Sequence, residues 1–326
     1  MEKIDYDRII RERPWILEKG HKFVISPDAD GIYCAIILTY FLDWKLVGFY
    51  DADVLAVKKQ YKDDDIIYVD VEIFDAATKS MGNHCLLPCE NDKFNIKDTL
   101  SNCINPNLIR NTSFSNFKEK YPFGTSHLIL SILAYARRKK LVNLSRFLKT
   151  PDKSATFMYA DGMIVSEGRH SKNWDDWFNY LRFNERWNPF HYSDNIKRID
   201  FRKAANKFHR MRDGFTKTNQ RGDRLSLLNK KKKCEALTEC NDGTFSIKEE
   251  NKDSVVGFME TICGILGIKF KKDQFDCWDS LETTFYERKR VGKSQKDFKK
   301  MLNEKPISFA YTDSQTLYYT IRKEDL

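Results

Sequence analysis

Short apolar runs that alternate with a helical run near the start of the chain restrict the fold more than any other feature. Residues 22–26 (KFVIS) form an apolar run closed by Pro27, and residues 32–42 are apolar over a length typical of a buried helix. Two further apolar runs, residues 46–50 and 66–71, have the length of strands. This alternation predicts an α/β protein with a mostly parallel sheet flanked by helices.

Aspartates stand at the ends of two of the predicted strands. Asp28 and Asp30 follow residues 22–26 in the sequence SPDADG, and Asp70 lies near the end of the run at residues 66–71. Because ligands bind at the carboxyl ends of parallel strands, we expect the three carboxylates to converge on one edge of the sheet. The alternative for a DADG sequence taken alone is a surface turn with solvated aspartates.

The length of 326 residues is enough for about two domains. We predict a first domain over residues 1–190, a basic helical linker over 191–235, and a smaller C-terminal α+β domain over 236–326. Within these, the pattern predicts a helix at 126–139, a long polar loop at 88–116, a further apolar segment at 155–159 and a hairpin at 307–322.

Positive charge is concentrated in one tract. The net charge is +9, and residues 197–233 hold 14 basic residues against three acidic ones, interleaved with aromatic side chains. Cations with interleaved aromatics are typical of surfaces that bind unpaired nucleic-acid strands, and Arg210, Arg212 and Lys217 are the candidate contacts. The alternative is a solvated helix face followed by a lysine-rich loop.

Cysteine usage and hydropathy bear on the compartment. The eight cysteines are scattered rather than packed into a short frame, so we expect reduced thiols. No apolar run reaches the length needed to cross a bilayer, and the first residues show no signal-peptide pattern. We therefore expect a cytoplasmic protein without membrane contact, and a protein partner or homo-oligomer stays open.

Candidate metal ligands follow from the same aspartates. Two carboxylates at positions i and i+2, as in Asp28 and Asp30, suit hard cations such as Mg²⁺ or Mn²⁺. A competing interpretation is a zinc site formed by one imidazole and three thiolates, for which the candidates are His84, Cys85, Cys89 and Cys103.

Four sequence segments resemble, in the same order, the motifs of the DHH phosphoesterase superfamily, which includes RecJ-like nucleases and oligonucleotide phosphodiesterases. They are SPDADG, YVDVE, SMGNHC and YADG, and the resemblance covers roughly residues 23–177. The resemblance implies a site for two divalent cations, Mn²⁺ or Mg²⁺. Asp28 would serve one cation, Asp30 and His84 the other, Asp70 would bridge them, and Asp161 would complete the shell of the second cation.

The third motif departs from the family pattern. Asn83 stands where the family has aspartate, and Cys85 stands where it has the second histidine, which contacts the scissile phosphate. A neutral thiol is a poor substitute for an imidazolium. The candidates to take over substrate contact are His127, Arg169 and His170, beside Asn83 and Cys85 themselves.

The resemblance implies a metal-dependent hydrolase that cleaves phosphodiesters in single-stranded nucleic acid or short oligonucleotides through a water activated by two metals. Two alternatives stay open. One is a catalytically idle scaffold of the same fold that binds nucleic acid or a protein partner. The other is a phosphatase or phosphodiesterase acting on nucleotides or cyclic dinucleotides.

Overall fold

The computed structural model describes residues 3–139, 171–182, 224–229, 231–311 and 314–323, and within them the chain is an α/β protein with a mixed sheet of 11 strands. The strands are β1 Lys22–Ile25, β2 Lys45–Tyr50, β3 Val54–Lys58, β4 Ile67–Val69, β5 Ser80–Met81, β6 Cys103–Ile104, β7 Leu237–Glu239, β8 Phe245–Ile247, β9 Leu281–Val291, β10 Ser308–Tyr311 and β11 Leu317–Arg322.

Eight α-helices accompany this sheet in the described residues. They are α1 Tyr6–Glu12, α2 Ala29–Leu42, α3 Ile96–Thr99, α4 Pro106–Ile109, α5 Thr125–Arg138, α6 Ser171–Leu181, α7 Glu249–Leu266 and α8 Gln295–Asn303. None of them is both long and apolar enough to span a membrane. The helices predicted from the first apolar stretch and from residues 126–139 are confirmed as α2 and α5.

The N-terminal half of the sheet is parallel. Strand β1 pairs in parallel with β2 on one side and β4 on the other, and the parallel run continues through β5 and β6. Helix α2 packs against α5 beside these strands, and all its residues except Tyr40 are buried. A helix that is apolar all round must be covered on every side, which explains why α2 forms the centre of the main core.

The C-terminal half of the sheet is antiparallel, which corrects the expectation of a mostly parallel sheet. Strand β3 runs antiparallel to β2, β9 to β3, and β11 to β9. The predicted hairpin at residues 307–322 is confirmed, since β10 and β11 pair antiparallel from Ser308↔Thr320 to Tyr311↔Leu317. The domain boundaries stay a prediction, but β9 joins the C-terminal strands to the same sheet as β1.

The outer edge of β10 returns to the N-terminal part of the chain. The Tyr311 amide donates to the His84 carbonyl at 3.0 Å, and the Phe74 amide donates to the Ile307 carbonyl at 2.7 Å. The Tyr50 and Ser308 hydroxyls also meet at 2.9 Å. These bonds place the C-terminal hairpin over the edge of the sheet where β1 and β4 end.

The polar segment at residues 88–116 is more regular than the predicted loop. It contains α3, α4 and the two-residue strand β6. The Asn105 side chain accepts from the amides of Asn107 and Leu108 and so begins α4, and the Asp92 side chain accepts from the first amides of α3. The apolar segment predicted at residues 155–159, and most of the basic linker, lie outside the described residues.

Candidate active site

The first motif forms the turn between β1 and α2. Asp28 is the N-cap of α2 and accepts a hydrogen bond from the Gly31 amide at 3.1 Å, while the Ser26 hydroxyl donates to its other oxygen at 2.8 Å. Proline at position 27 and the cap together fix the direction in which the chain leaves the strand. The Asp28 carboxylate is consequently held at the carboxyl end of β1.

A single threonine connects the carboxylates of two motifs. The Thr125 hydroxyl donates to Asp70 at 2.7 Å, and the Thr125 amide donates to Asp30 at 2.5 Å. Asp70 is buried and has a left-handed backbone with φ of 61°. Aspartate tolerates this conformation better than most residues, so the chain can turn sharply directly after β4. The structure therefore brings Asp30 and Asp70 together.

The buried thiol of Cys34 gives a second measure of the convergence. Burial raises its pKa well above the usual value, and the negative charges of Asp30, Asp70 and Asp28 raise it further. The geometry agrees, since Asp28 and Asp70 line one cavity and Asp30 shares Thr125 with Asp70. The structure places the three carboxylates together at the carboxyl ends of β1 and β4.

Asp30 caps the start of helix α5. It accepts hydrogen bonds from the amide of Thr125, and from both the amide and the hydroxyl of Ser126 at 3.2 and 2.5 Å. Its carboxylate thereby satisfies the first amides of α5, which otherwise lack partners, and opposes the positive end of the helix dipole. Asp30 is only 4% exposed and does not line the cavity described below.

Glu72, two residues after Asp70, is a buried carboxylate that was not among the predicted site residues. One of its oxygens accepts from the amides of His84 and Cys85, at 2.7 and 3.1 Å, and from the Asn105 side chain at 2.5 Å. The other oxygen lies 3.6 Å from His84 Nδ1. This carboxylate therefore fixes the backbone of the third motif and lies beside the His84 ring.

Three of the residues predicted to contact substrate are described: Asn83, Cys85 and His127. The Asn83 side chain donates to the Phe123 carbonyl at 2.7 Å, and the buried Cys85 thiol lies 3.1 Å from the Phe309 carbonyl. The buried His127 ring accepts from the Gly124 amide at 3.0 Å and caps α5. None of the three lines the cavity described below, and each contacts a backbone group.

A cavity of about 400 Å³ opens where these motifs meet the C-terminal hairpin. Asp28, Asp70, Glu72 and His84 line it, and so do two arginines, Arg224 and Arg288. The C-terminal part of the basic tract passes directly alongside the first motif, since the Leu225 amide donates to the Pro27 carbonyl at 2.7 Å. The cavity therefore combines carboxylates with guanidinium groups.

Arg224 and Arg288 are both directed toward the turn between β2 and β3. Arg288 pairs with Asp53 at 3.1 Å, and both guanidinium groups donate to the Asp51 carbonyl. Burial raises the pKa of the Asp51 carboxyl, with Arg224 opposing the rise. The turn thus holds the two cations at the wall of the cavity. A guanidinium has five donors in a planar fork, the geometry that matches phosphate oxygens.

The donor types in the cavity fit a hard divalent cation, because carboxylate oxygens and one imidazole suit Mn²⁺ and Mg²⁺. Asp28, Asp70 and His84 are the residues that would hold it. Across the described part of the chain, however, no three His, Cys, Asp or Glu side chains are arranged as a metal-binding group. The same finding covers the zinc alternative, since His84, Cys85, Cys89 and Cys103 are all described.

Six predicted site residues lie outside the described residues: Asp161, Arg169, His170, Arg210, Arg212 and Lys217. The structure adds Glu72, Thr125, Arg224 and Arg288. Glu72 had a detectable signal, because it is the second acidic residue of the YVDVE motif, two positions after Asp70. Comparisons with protein-family models, curated proteins and solved structures found no match.

Proposed function

We propose that the chain is a metal-dependent phosphodiesterase whose site is the cavity that Asp28, Asp70, Glu72 and His84 share with Arg224 and Arg288. The observation that carries the proposal is this pairing of carboxylates with arginines in one cavity. Carboxylates are ligands for divalent cations, and arginines bind the non-bridging oxygens of a phosphodiester.

Each group has a role in such a reaction. A bound divalent cation would neutralise charge on the phosphoryl oxygens and activate the attacking water, which yields a phosphomonoester and an alcohol. Arg224 and Arg288 would orient the phosphodiester by hydrogen bonds to its oxygens. Glu72 lies on the Nδ1 side of the His84 ring, so the other ring nitrogen, Nε2, is on the side away from Glu72. Thr125 would hold the Asp70 carboxylate in place.

The test is hydrolysis of bis(p-nitrophenyl) phosphate with Mn²⁺ and with EDTA, comparing wild type with Asp70→Asn. Asparagine retains an oxygen for the Thr125 hydroxyl and tolerates a left-handed backbone, so folding should survive. We expect hydrolysis to need Mn²⁺ and to fall roughly tenfold or more in the variant, because a carboxylate ligand is lost.

Asp43→Asn is the matched control. Like Asp70, Asp43 has a left-handed backbone, with φ of 56°. It follows α2 directly, at the end of the helix opposite to Asp28, and its side chain is 45% exposed. Its substitution should leave the rate unchanged. Hydrolysis that is equally fast in EDTA, or undiminished in Asp70→Asn, would rule out the proposal.

A second candidate function is a catalytically idle scaffold that binds nucleic acid. The roles of Asp30 as a helix cap and of Cys85 as a buried thiol favour it, because both positions are removed from the cavity. Equilibrium dialysis against Mn²⁺ separates the two candidates. The enzyme should retain about one or two ions per chain and lose them in Asp70→Asn, whereas a scaffold should retain none and still bind single strands.

A further inference from the structure

One face of the C-terminal ladder carries arginines and tyrosines in register. Antiparallel pairing sets Arg290 opposite Tyr318, Arg288 opposite Thr320, and Tyr286 opposite Arg322. Because alternate residues of a strand share a face, these six side chains lie on one side of the β9–β11 ladder. We call the five cationic and aromatic members the Arg–Tyr face: Tyr286, Arg288, Arg290, Tyr318 and Arg322.

The other side of the same ladder is covered. Leu317, Tyr319 and Val291 belong to a core that Phe298 and Met301 of α8 complete. The Arg–Tyr face, by contrast, has exposed arginines at all three positions and half-buried tyrosines at both. Half-buried rings on a sheet surface keep one side available for stacking.

Charge on this face is positive and largely unbalanced. Between residues 286 and 291 and along β11, the single acidic side chain is Glu287, which alternation places on the α8 side. In the described part of the chain Arg288 pairs with Asp53 at 3.1 Å, whereas neither Arg290 nor Arg322 has a carboxylate within ion-pairing distance. The face therefore complements an anion.

The face is continuous with the cavity. Arg288, Tyr318 and Thr320 line the cavity, and Arg290 follows on the same face one pair further along the ladder. A ligand lying on the face would reach the carboxylates of Asp28 and Asp70 without leaving the surface. The alternation of guanidinium groups with phenol rings suits a ligand that alternates anionic groups with flat aromatic ones, as single-stranded nucleic acid does.

We propose that the Arg–Tyr face binds single-stranded nucleic acid and leads one end of it into the cavity. Arg290 and Arg322 contact phosphates, and Tyr318 stacks on an unpaired base. The inference rests on the proposed function and deepens it by naming the substrate and its path, but it concerns binding, which is measured without catalysis.

The experiment is fluorescence anisotropy of a labelled oligothymidylate with the full chain in EDTA, where hydrolysis is absent. Tyr318→Leu should weaken binding about tenfold through lost stacking. Arg290→Gln should weaken it several-fold and reduce the slope of log affinity against log salt by about 0.7, the value for one phosphate on a single strand. Lys299→Gln, an equal charge loss on the exposed side of α8, should change neither.

Each outcome bears on this inference separately from the hydrolysis proposal. Unchanged affinity in both Tyr318→Leu and Arg290→Gln would overturn it, even if Mn²⁺-dependent hydrolysis is found. Binding that falls in these variants supports it even if no hydrolysis occurs. Polyglutamate or anionic vesicles that displace the oligonucleotide at equal charge concentration would also overturn it, since a face selected for stacking must prefer bases.

Discussion

Replacing Gly31 by alanine should lower the free energy of unfolding by about 3 kcal/mol, the upper range for overpacking a tight site. A Cβ atom at this position would lie 1.9 Å from the Ser26 carbonyl oxygen and 3.3 Å from the Ile25 Cβ. The closest atom is backbone, so no rotation of a side chain relieves the contact. Helix α2 would have to move away from the end of β1.

Urea denaturation measures this effect, with Gly257→Ala as the matched control. Gly257 lies inside α7 and is exposed, and a Cβ atom there would meet no other atom within 4 Å. Alanine at this position should raise the free energy of unfolding by about 0.5–1 kcal/mol, because it has the higher helix propensity. The explanation fails if the two variants shift stability in the same direction.

The close approach at Gly31 also matters for the site. It lets α2 begin directly at the first motif, so Asp28 caps the helix and Asp30 lies in its first turn. An alanine that folds after local adjustment should therefore shift both carboxylates and reduce any activity that depends on them. Gly31 of SPDADG is accordingly needed because α2 packs closely against the end of β1, and not because the backbone turns there.

The N-terminal half of the site was predictable because it depends on local rules. Asp28 and Asp70 follow short apolar strands, and parallel strands bring their carboxyl ends to one edge. Sequence alone could not show that Asp30 faces α5, because the direction of its side chain is set by Thr125 and Ser126, about 95 residues away.

The arginine side of the cavity was not predictable for a different reason. Arg288 reaches the site only because β9 pairs with β3 and the hairpin of β10 and β11 returns to His84. Such pairings join segments more than 200 residues apart, and neither periodicity nor composition specifies them. The strands were recognisable in part, but their position over the cavity was not.

Replacing Glu72 by alanine should lower the free energy of unfolding by about 3–5 kcal/mol, the range for removing one partner of a buried charged network. Glu72 is only 2% exposed. Without its carboxylate, three buried donors would lose their hydrogen-bond acceptor: the amides of His84 and Cys85 and the side chain of Asn105. Glu72→Gln should cost only about 1 kcal/mol. All three donors bind the same oxygen, which glutamine keeps.

Comparing wild type with Glu72→Gln across pH separates the contribution of the Glu72 charge from that of its hydrogen bonds. Burial raises the pKa of Glu72, but the nearby His84 side chain and the amides of Cys85 and His84 outweigh it and hold the pKa below its usual value. A carboxylate with a lowered folded-state pKa stabilises the fold above its unfolded pKa of about 4.3 and loses that contribution as pH falls further. Urea midpoints of wild type and Glu72→Gln should therefore differ near pH 7 and converge below about pH 4. Parallel curves across this range would show that the charge on Glu72 does not contribute, and would leave hydrogen bonding by one oxygen as its whole role.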